Sequence, residues 1–261
     1  MKNRQMMVMR ELSLAPTYQP RPEGIGETNG LAPSAENMVS PPDIAVAAAR
    51  LPQPDQPPEP LSADRRTIIL KMEWPDLKAA VAGCVACKLH TARNKTVFGV
   101  GDENASWLFV GEGPGADEDR QGEPFVGQAG KLLDNMLAAI DLRRGEDVYI
   151  ANIVKCRPPG NRNPEPDEAQ SCEPYLTRQI QLIKPKLIVA LGKTAIQNLL
   201  GTDAAVGSLR GRLHQYQQIP LLVTYHPAYL LRTPGDKARA WEDLCLARTT
   251  MASLKSAVAA S

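Results

Sequence analysis

The sequence predicts an α/β sandwich with a mainly parallel sheet, preceded by a disordered tail over residues 1–65. Three observations predict it. From about residue 66, short apolar runs alternate with stretches whose apolar residues recur at helical spacing, the order expected of a parallel sheet with covering helices. Proline, glycine and aspartate punctuate that alternation where helices should start and stop. The first 65 residues differ in composition, holding eleven of the 23 prolines, among them Pro41-Pro42 and Pro52, Pro54, Pro57, Pro58 and Pro60, with almost no aromatic residue. Such a segment buries too little apolar area to offset the entropy of ordering it.

The elements follow from local pattern. Residues 106–111 (SWLFVG) form a short apolar run and predict a buried strand. Residues 128–140 place Leu132, Leu133, Met136, Leu137 and Ile140 on one helical face. Residues 147–154 (DVYIANIV) predict a second strand. A helix over 167–183 is opened by Pro166 and Asp167 and closed before Pro185. Residues 186–191 (KLIVAL) predict a third strand, Lys193 to Leu200 a helix ended by Gly201, residues 219–225 (IPLLVTY) a fourth strand, and residues 236–255 the last helix. Within the tail, alanine-rich 43–51 could form a short helix; the tail reads as a spacer or, alternatively, as a segment that docks a protein partner.

The 261 residues accommodate one large domain and a tail, and a hydrophobic content of 43% suffices for a core. No apolar run approaches the ~18 residues of a membrane helix. The basic start, Met1 to Arg10, lacks the apolar stretch of a secretory signal. A soluble intracellular protein is expected. A net charge of +1 argues neither for nor against nucleic acid, but residues 205–240 carry Arg210, Arg212, Arg232, Lys237 and Arg239 against the single acid Asp236, a local basic face.

Five cysteines without a secretory context point to ligation rather than disulfides. Cys84 and Cys87 form a C-x-x-C pair, and Cys156 and Cys172 are separated by fifteen residues. Four thiolates from separate segments could hold zinc or a [4Fe-4S] cluster. The wide second pair favours a cluster, without deciding the matter. Cys245, between Leu244 and Leu246, reads as core. Lys88, Arg93, Lys95, Lys155, Arg157 and Arg162 surround the four thiols in sequence and could neutralise phosphates; the alternative is solvated surface charge.

In parallel sheets, binding sites gather at the carboxyl ends of the strands. Three loops with unusual chemistry, 111–127, 152–164 and 226–234, leave those ends. The first runs Gly111-Glu-Gly-Pro-Gly115 through Pro124-Phe125-Val126-Gly127; five carboxylates against Arg120 and the wrong glycine spacing exclude a dinucleotide cradle, so its glycines suit close approach to a flat ligand, with Phe125 as stacking platform. The second begins with Asn152, a carboxamide in an apolar strand that offers both a donor and an acceptor to a pyrimidine edge, or else bonds nearby backbone. The third, Tyr225-His226-Pro-Ala-Tyr-Leu-Leu-Arg232, joins an imidazole to an apolar Leu230-Leu231 wedge and a cation.

Together these residues resemble the family-4, iron-sulfur uracil-DNA glycosylases. The matching motifs are Gly111-Glu-Gly-Pro-Gly115 with Glu118-Asp119 and Pro124-Phe-Val-Gly127, Asn152-x-x-Lys-Cys-Arg-Pro-Pro159, His226-Pro-Ala-Tyr-Leu-Leu-Arg232 and the four cysteines, over about residues 80–250. The resemblance implies a three-layer sandwich with a central four-stranded parallel sheet, in a domain over 66–261. It implies a [4Fe-4S] cluster on Cys84, Cys87, Cys156 and Cys172. It implies excision of uracil flipped out of DNA: Glu112 and Gly113 lining the pocket, Phe125 stacking on the base, Asn152 pairing with its edge and His226 bonding uracil O2. Glu112 and Glu118 are both candidates for positioning water, and Leu230, Leu231, Arg232, Lys155 and Arg157 for contacting DNA. The loop after Asn152 holds no histidine, so turnover is expected rather than covalent attachment to the abasic sugar. The protein is expected to work as a monomer on uracil-containing DNA, cytoplasmic and nucleoid-associated, without a membrane. The rival expectation is a noncatalytic, metal-stabilised DNA-binding or polymerase-accessory module, which would need no shared pocket for Phe125, Asn152 and His226.

Overall fold

The computed structural model describes residues 63–259. The expected tail lies outside them except for residues 63–65, which already belong to the first helix, α1 (Ala63–Ile69). Arg65 of α1 donates to Ser171 O at 3.0 Å, and Arg66 pairs with Glu173.

Four parallel strands form the centre of the sheet: β2 (Trp107–Gly111), β3 (Val148–Asn152), β4 (Leu187–Leu191) and β6 (Ile219–Thr224). Two antiparallel edge strands extend it to six, in the order β1-β3-β2-β4-β6-β5. Neither edge was predicted. β1 (Val100–Gly101) is only two residues long. β5 (Leu213–Tyr216) alternates exposed and half-buried residues and presents no apolar run. It joins β6 through Gln217 and Gln218, both at positive φ (46° and 71°), the backbone twist a tight hairpin requires.

The apolar runs are continuous because both sheet faces are covered. Side chains alternate between them with a period of two. Leu108, Val110, Tyr149, Ala151, Ile188, Ala190, Leu221 and Val223 enter one core, with α2 (Trp74–Ala82), α5 (Pro166–Ile183) and α6 (Lys193–Leu200). Trp107, Phe109, Val148, Ile150, Leu187, Val189, Leu191 and Leu222 enter the other, with α4 (Gln128–Ala138), α8 (Pro227–Arg232) and α9 (Lys237–Ala259). The short helices α3 (Ala116–Gln121) and α7 (Val206–Leu209) lie in the loops after β2 and β4. This is the expected three-layer sandwich.

The topology marks a site. β2 leads to β3 on one side of itself and β4 leads to β6 on the other, and the helices after them, α4 and α6, cover opposite faces. Adjacent β2 and β4 therefore send their chains apart at their carboxyl ends and leave a crevice there.

Candidate active site

The crevice is a cleft of about 770 Å³, and its walls include Glu112, Phe125, Asn152, His226 and Arg232. Residues from three separate loops thus meet, as the strand ends required. Two glycines allow the approach. A Cβ on Gly111 would lie 2.5 Å from Phe125 Cζ and 2.6 Å from Asn152 Oδ1. Gly192, at φ +83°, ends β4, and a Cβ there would lie 2.7 Å from that of His226. The Phe125 and His226 ring centroids are 5.5 Å apart, with planes inclined by 32°.

Asn152 is the last residue of β3 and only 2% exposed, yet its Oδ1 has no hydrogen-bond partner. An unpaired buried acceptor costs stability and is retained where something else pairs with it. Its carboxamide does not turn back to nearby backbone, which was the alternative reading.

His226 caps α8: its Nδ1 accepts the Ala228 N–H at 3.1 Å. A nitrogen that accepts carries no proton, so in the neutral ring Nε2 carries it. Burial, assisted by nearby Arg232 and opposed by Glu118, holds the imidazole down to about 4, so it is neutral at physiological pH.

The two carboxylates separate cleanly. Glu118 is spent on backbone: Oε1 accepts from Val126 N (2.9 Å) and Gly127 N (3.0 Å), Oε2 from Gly115 N (3.1 Å). It holds the first loop together and also lines the cleft. Its neighbour Asp119 is fully buried and ties α3 to Asn94. Glu112 takes one hydrogen bond, from Thr194 Oγ1 at 2.7 Å. Burial pushes its carboxyl above the ordinary range, against the opposing effects of Thr194 and Arg232. Thr194 escaped the sequence reading, which overlooked a fourth strand-end loop, Gly192-Lys193-Thr194 after β4. That loop was visible as the junction of an apolar run and a helix.

The four cysteines Cys84, Cys87, Cys156 and Cys172 line one cavity on the α2–α5 side. N–H donors surround the sulfurs: Arg93 Nη1 reaches Cys156 Sγ at 3.1 Å, and Lys155 N reaches Cys172 Sγ at 3.3 Å. Burial raises the Cys172 thiol to about 12 and the Cys87 and Cys156 thiols in the same direction. Among the described residues no three His, Cys, Asp or Glu side chains converge closely enough to hold a single metal ion. Cys245, read as core, is half-buried.

Residues 98–246 match the uracil DNA glycosylase superfamily. The chain is 46% identical over 167 residues to a type-4 uracil-DNA glycosylase of Archaeoglobus fulgidus, covering 61% of this chain and 83% of that protein. It is 42% identical over 183 residues to one of Pyrobaculum aerophilum, covering 67% and 93%. A type-4 enzyme of Thermotoga maritima is 46% identical over 164 residues, covering 61% and 83%. This chain belongs to the type-4 uracil-DNA glycosylases.

For this glycosylase family member, several residues expected to meet DNA are in other positions. Lys155 is 1% exposed, and its Nζ donates to Asn152 O (2.9 Å) and Gln179 Oε1 (2.7 Å). Buried in that way, with its ammonium lowered to about 8 by desolvation, it cannot also meet a phosphate. Leu230 and Leu231 lie on helix α8, not in a loop; Leu230 is 1% exposed within the core, whereas Leu231 is 44% exposed. Only Leu231 can act as a wedge. Arg93 also bonds Cys84 O, Lys88 pairs with Glu165, and Arg162 grips buried Glu168 with two bonds of 2.7 and 2.8 Å. In the basic stretch, Arg210 pairs with Glu242 and Asp243, Arg239 with Asp236, and Lys237 is buried. Arg157 is partly exposed, its Nε held by Asn161 at 2.7 Å. Among the described residues, the cleft cations without a hydrogen bond or ion pair are Arg232, which was expected, and Lys193, which was not. Among the described residues, no helix is long and apolar enough to cross a membrane.

Proposed function

We infer that this protein is a DNA-repair glycosylase that flips uracil out of DNA and hydrolyses its bond to deoxyribose, leaving free uracil and an abasic site. The observation that carries this reading is the meeting of Phe125, Asn152 and His226 on one cleft, with Asn152 Oδ1 unpaired and His226 protonated on Nε2. The rival noncatalytic module has no use for that constellation.

Breaking the N-glycosidic bond leaves a cationic, oxocarbenium-like sugar and a uracil anion. Phe125 stacks on the extruded base. Asn152 Oδ1 takes the donor that a uracil edge presents. His226 Nε2–H donates to O2, where negative charge develops. A fixed donor of this kind contributes about 3–4 kcal/mol, or 10²–10³ in rate. Neutrality suits it, because the ring bonds the developing oxyanion without transferring a proton. Glu112, on the rim with Oε1 uncommitted, positions the attacking water and faces the sugar cation. Extruding the base costs a few kcal/mol, and Leu231 entering the vacated stack offsets part of that.

The four cysteines are assigned to a [4Fe-4S] cluster rather than zinc. The donor set is four soft thiols lining one cavity with N–H groups directed at sulfur, and the wide spacing of Cys156 and Cys172 differs from the two tight pairs usual in an all-cysteine zinc site. When bound, the cluster would supply structural cross-linking between the segment after α2 and the 152–172 region, which starts at the end of the Asn152 strand and runs into α5.

The test is release of free uracil from single- and double-stranded DNA. The wild type releases it; His226→Ala and Asn152→Ala each lose at least 10²-fold while keeping the wild-type circular dichroism spectrum. Full activity in both variants contradicts the assignment.

A further inference from the structure

The Phe125 turn carries a strain that its sequence does not explain. Phe125 sits at φ +56°, in the left-handed region that bulky residues avoid. Such a conformation persists only when its surroundings over-determine it. On one side, Glu118 takes the amides of the next two residues, Val126 and Gly127. On the other side, Arg144 takes the carbonyls: Nη1 donates to Pro124 O and Nη2 to Phe125 O, both at 2.8 Å. The guanidinium is itself oriented by Asp134 Oδ1, at 3.0 Å from Nε and 2.9 Å from Nη2. Arg144 comes from the turn between α4 and β3 and lines no part of the cleft, opening instead on a groove with Asp134 and Lys255. It cannot touch the base or the DNA strand in the cleft.

The geometry points to Arg144 as a positioning residue for excision: it fixes the Pro124–Phe125 backbone so that the Phe125 ring presents its face to the base. This rests on the reading of Phe125 as the stacking platform. The guanidinium spreads four N–H bonds over three nitrogens in a fixed fork to reach two successive carbonyls and a carboxylate, where an ammonium has a single nitrogen to offer the same acceptors. Arg144 therefore acts on the rate through the ring and not through affinity for the phosphate backbone.

The experiment is single-turnover uracil excision by the full chain, with Arg144→Ala, Arg144→Lys, Phe125→Ala and the double variant Arg144→Ala/Phe125→Ala. Arg144→Ala is expected to slow excision about 10- to 100-fold, the scale of an ångström-sized misplacement, with KM for DNA within about threefold, and Arg144→Lys to restore little of it. In the Phe125→Ala background, Arg144→Ala is expected to add less than about a twofold change, because the group it positions is gone. If Arg144→Ala does not fold, Asp134→Asn carries the test: it frees the guanidinium, slows excision less, and loses its effect in the Phe125→Ala background. A wild-type rate in the folded Arg144 or Asp134 variant, full rescue by lysine, or an equal loss with and without the ring overturns the inference while leaving the stacking role intact. A wild-type rate in Phe125→Ala removes the stacking role and this inference with it.

Discussion

The cleft and the cysteine region are equally rich in polar side chains but use them in opposite ways. Around the cysteines nearly every cation is committed: Arg93 to Cys84 O and Cys156 Sγ, Lys88 to Glu165, Arg162 to Glu168, Lys155 to Asn152 O and Gln179. Along the cleft, Asn152 Oδ1 is unpaired, and Arg232 and Lys193 make no bond among the described residues. One region is braced, and the other holds capacity for a ligand. Basic residues with the same local sequence character therefore divide by whether a protein acceptor already claims them.

The largest expected effect breaks the braced side. Cys172→Ala should remove the proposed cluster and with it the link between α5 and the residues after α2. Purified protein should lose its brown colour and iron content, and its cooperative thermal transition should fall by ten degrees or more, in line with roughly 2–5 kcal/mol for the loss of a structural cross-link. A colourless variant with an unchanged transition would deny the cysteines their bracing role.

Next comes the contrast between Lys155 and Arg232. Lys155→Met leaves two buried oxygens without donors and should cost about 1–3 kcal/mol in denaturant unfolding, while the salt dependence of DNA binding stays as in the wild type. Arg232→Ala should do the reverse: stability within about 0.5 kcal/mol and a slope of log K against log salt shallower by about one. Equal changes of salt slope in both would erase the distinction between the two regions.

The last effect is a pH dependence of stability. Burial depresses the His226 pKa from 6.5 to about 4. The unfolded chain therefore binds a proton in that interval that the folded chain does not, and stability present above pH 6.5 is lost as pH falls toward 4. Urea unfolding of the wild type should lose up to roughly 3 kcal/mol more than His226→Gln between pH 7 and pH 4. Parallel curves would mean that the imidazole is not buried neutral.

Much of this was legible in the sequence because a doubly covered parallel sheet writes itself as continuous apolar runs, and its helices end on Pro and Gly. All four central strands and the helices α4, α5, α6 and α9 were predictable on that basis; α2 was not. The edge strands were not: β1 is too short for periodicity, and β5 buries no face. Convergence of Phe125, Asn152 and His226 followed from strand ends. What sequence could not give was the partner of each charge. Lys155 next to a cysteine and Arg157 two residues on look alike in one dimension, yet Lys155 points into the core. Leu230 and Leu231 are adjacent letters, but a helix turns one into the core and the other to solvent. Arg144 carries no local signal, because its acceptors lie about twenty residues away.

The central claim is that a neutral imidazole, fixed through Nδ1, offers its Nε2–H to the same uracil that Phe125 and Asn152 hold. Nitrogen-15 NMR of the His226 ring at pH 6, with and without saturating free uracil, tests it most directly. The account predicts an unprotonated Nδ1, a protonated Nε2, and a change of the Nε2 resonance on adding uracil. A doubly protonated ring at that pH, or an Nε2 signal indifferent to uracil, would contradict it.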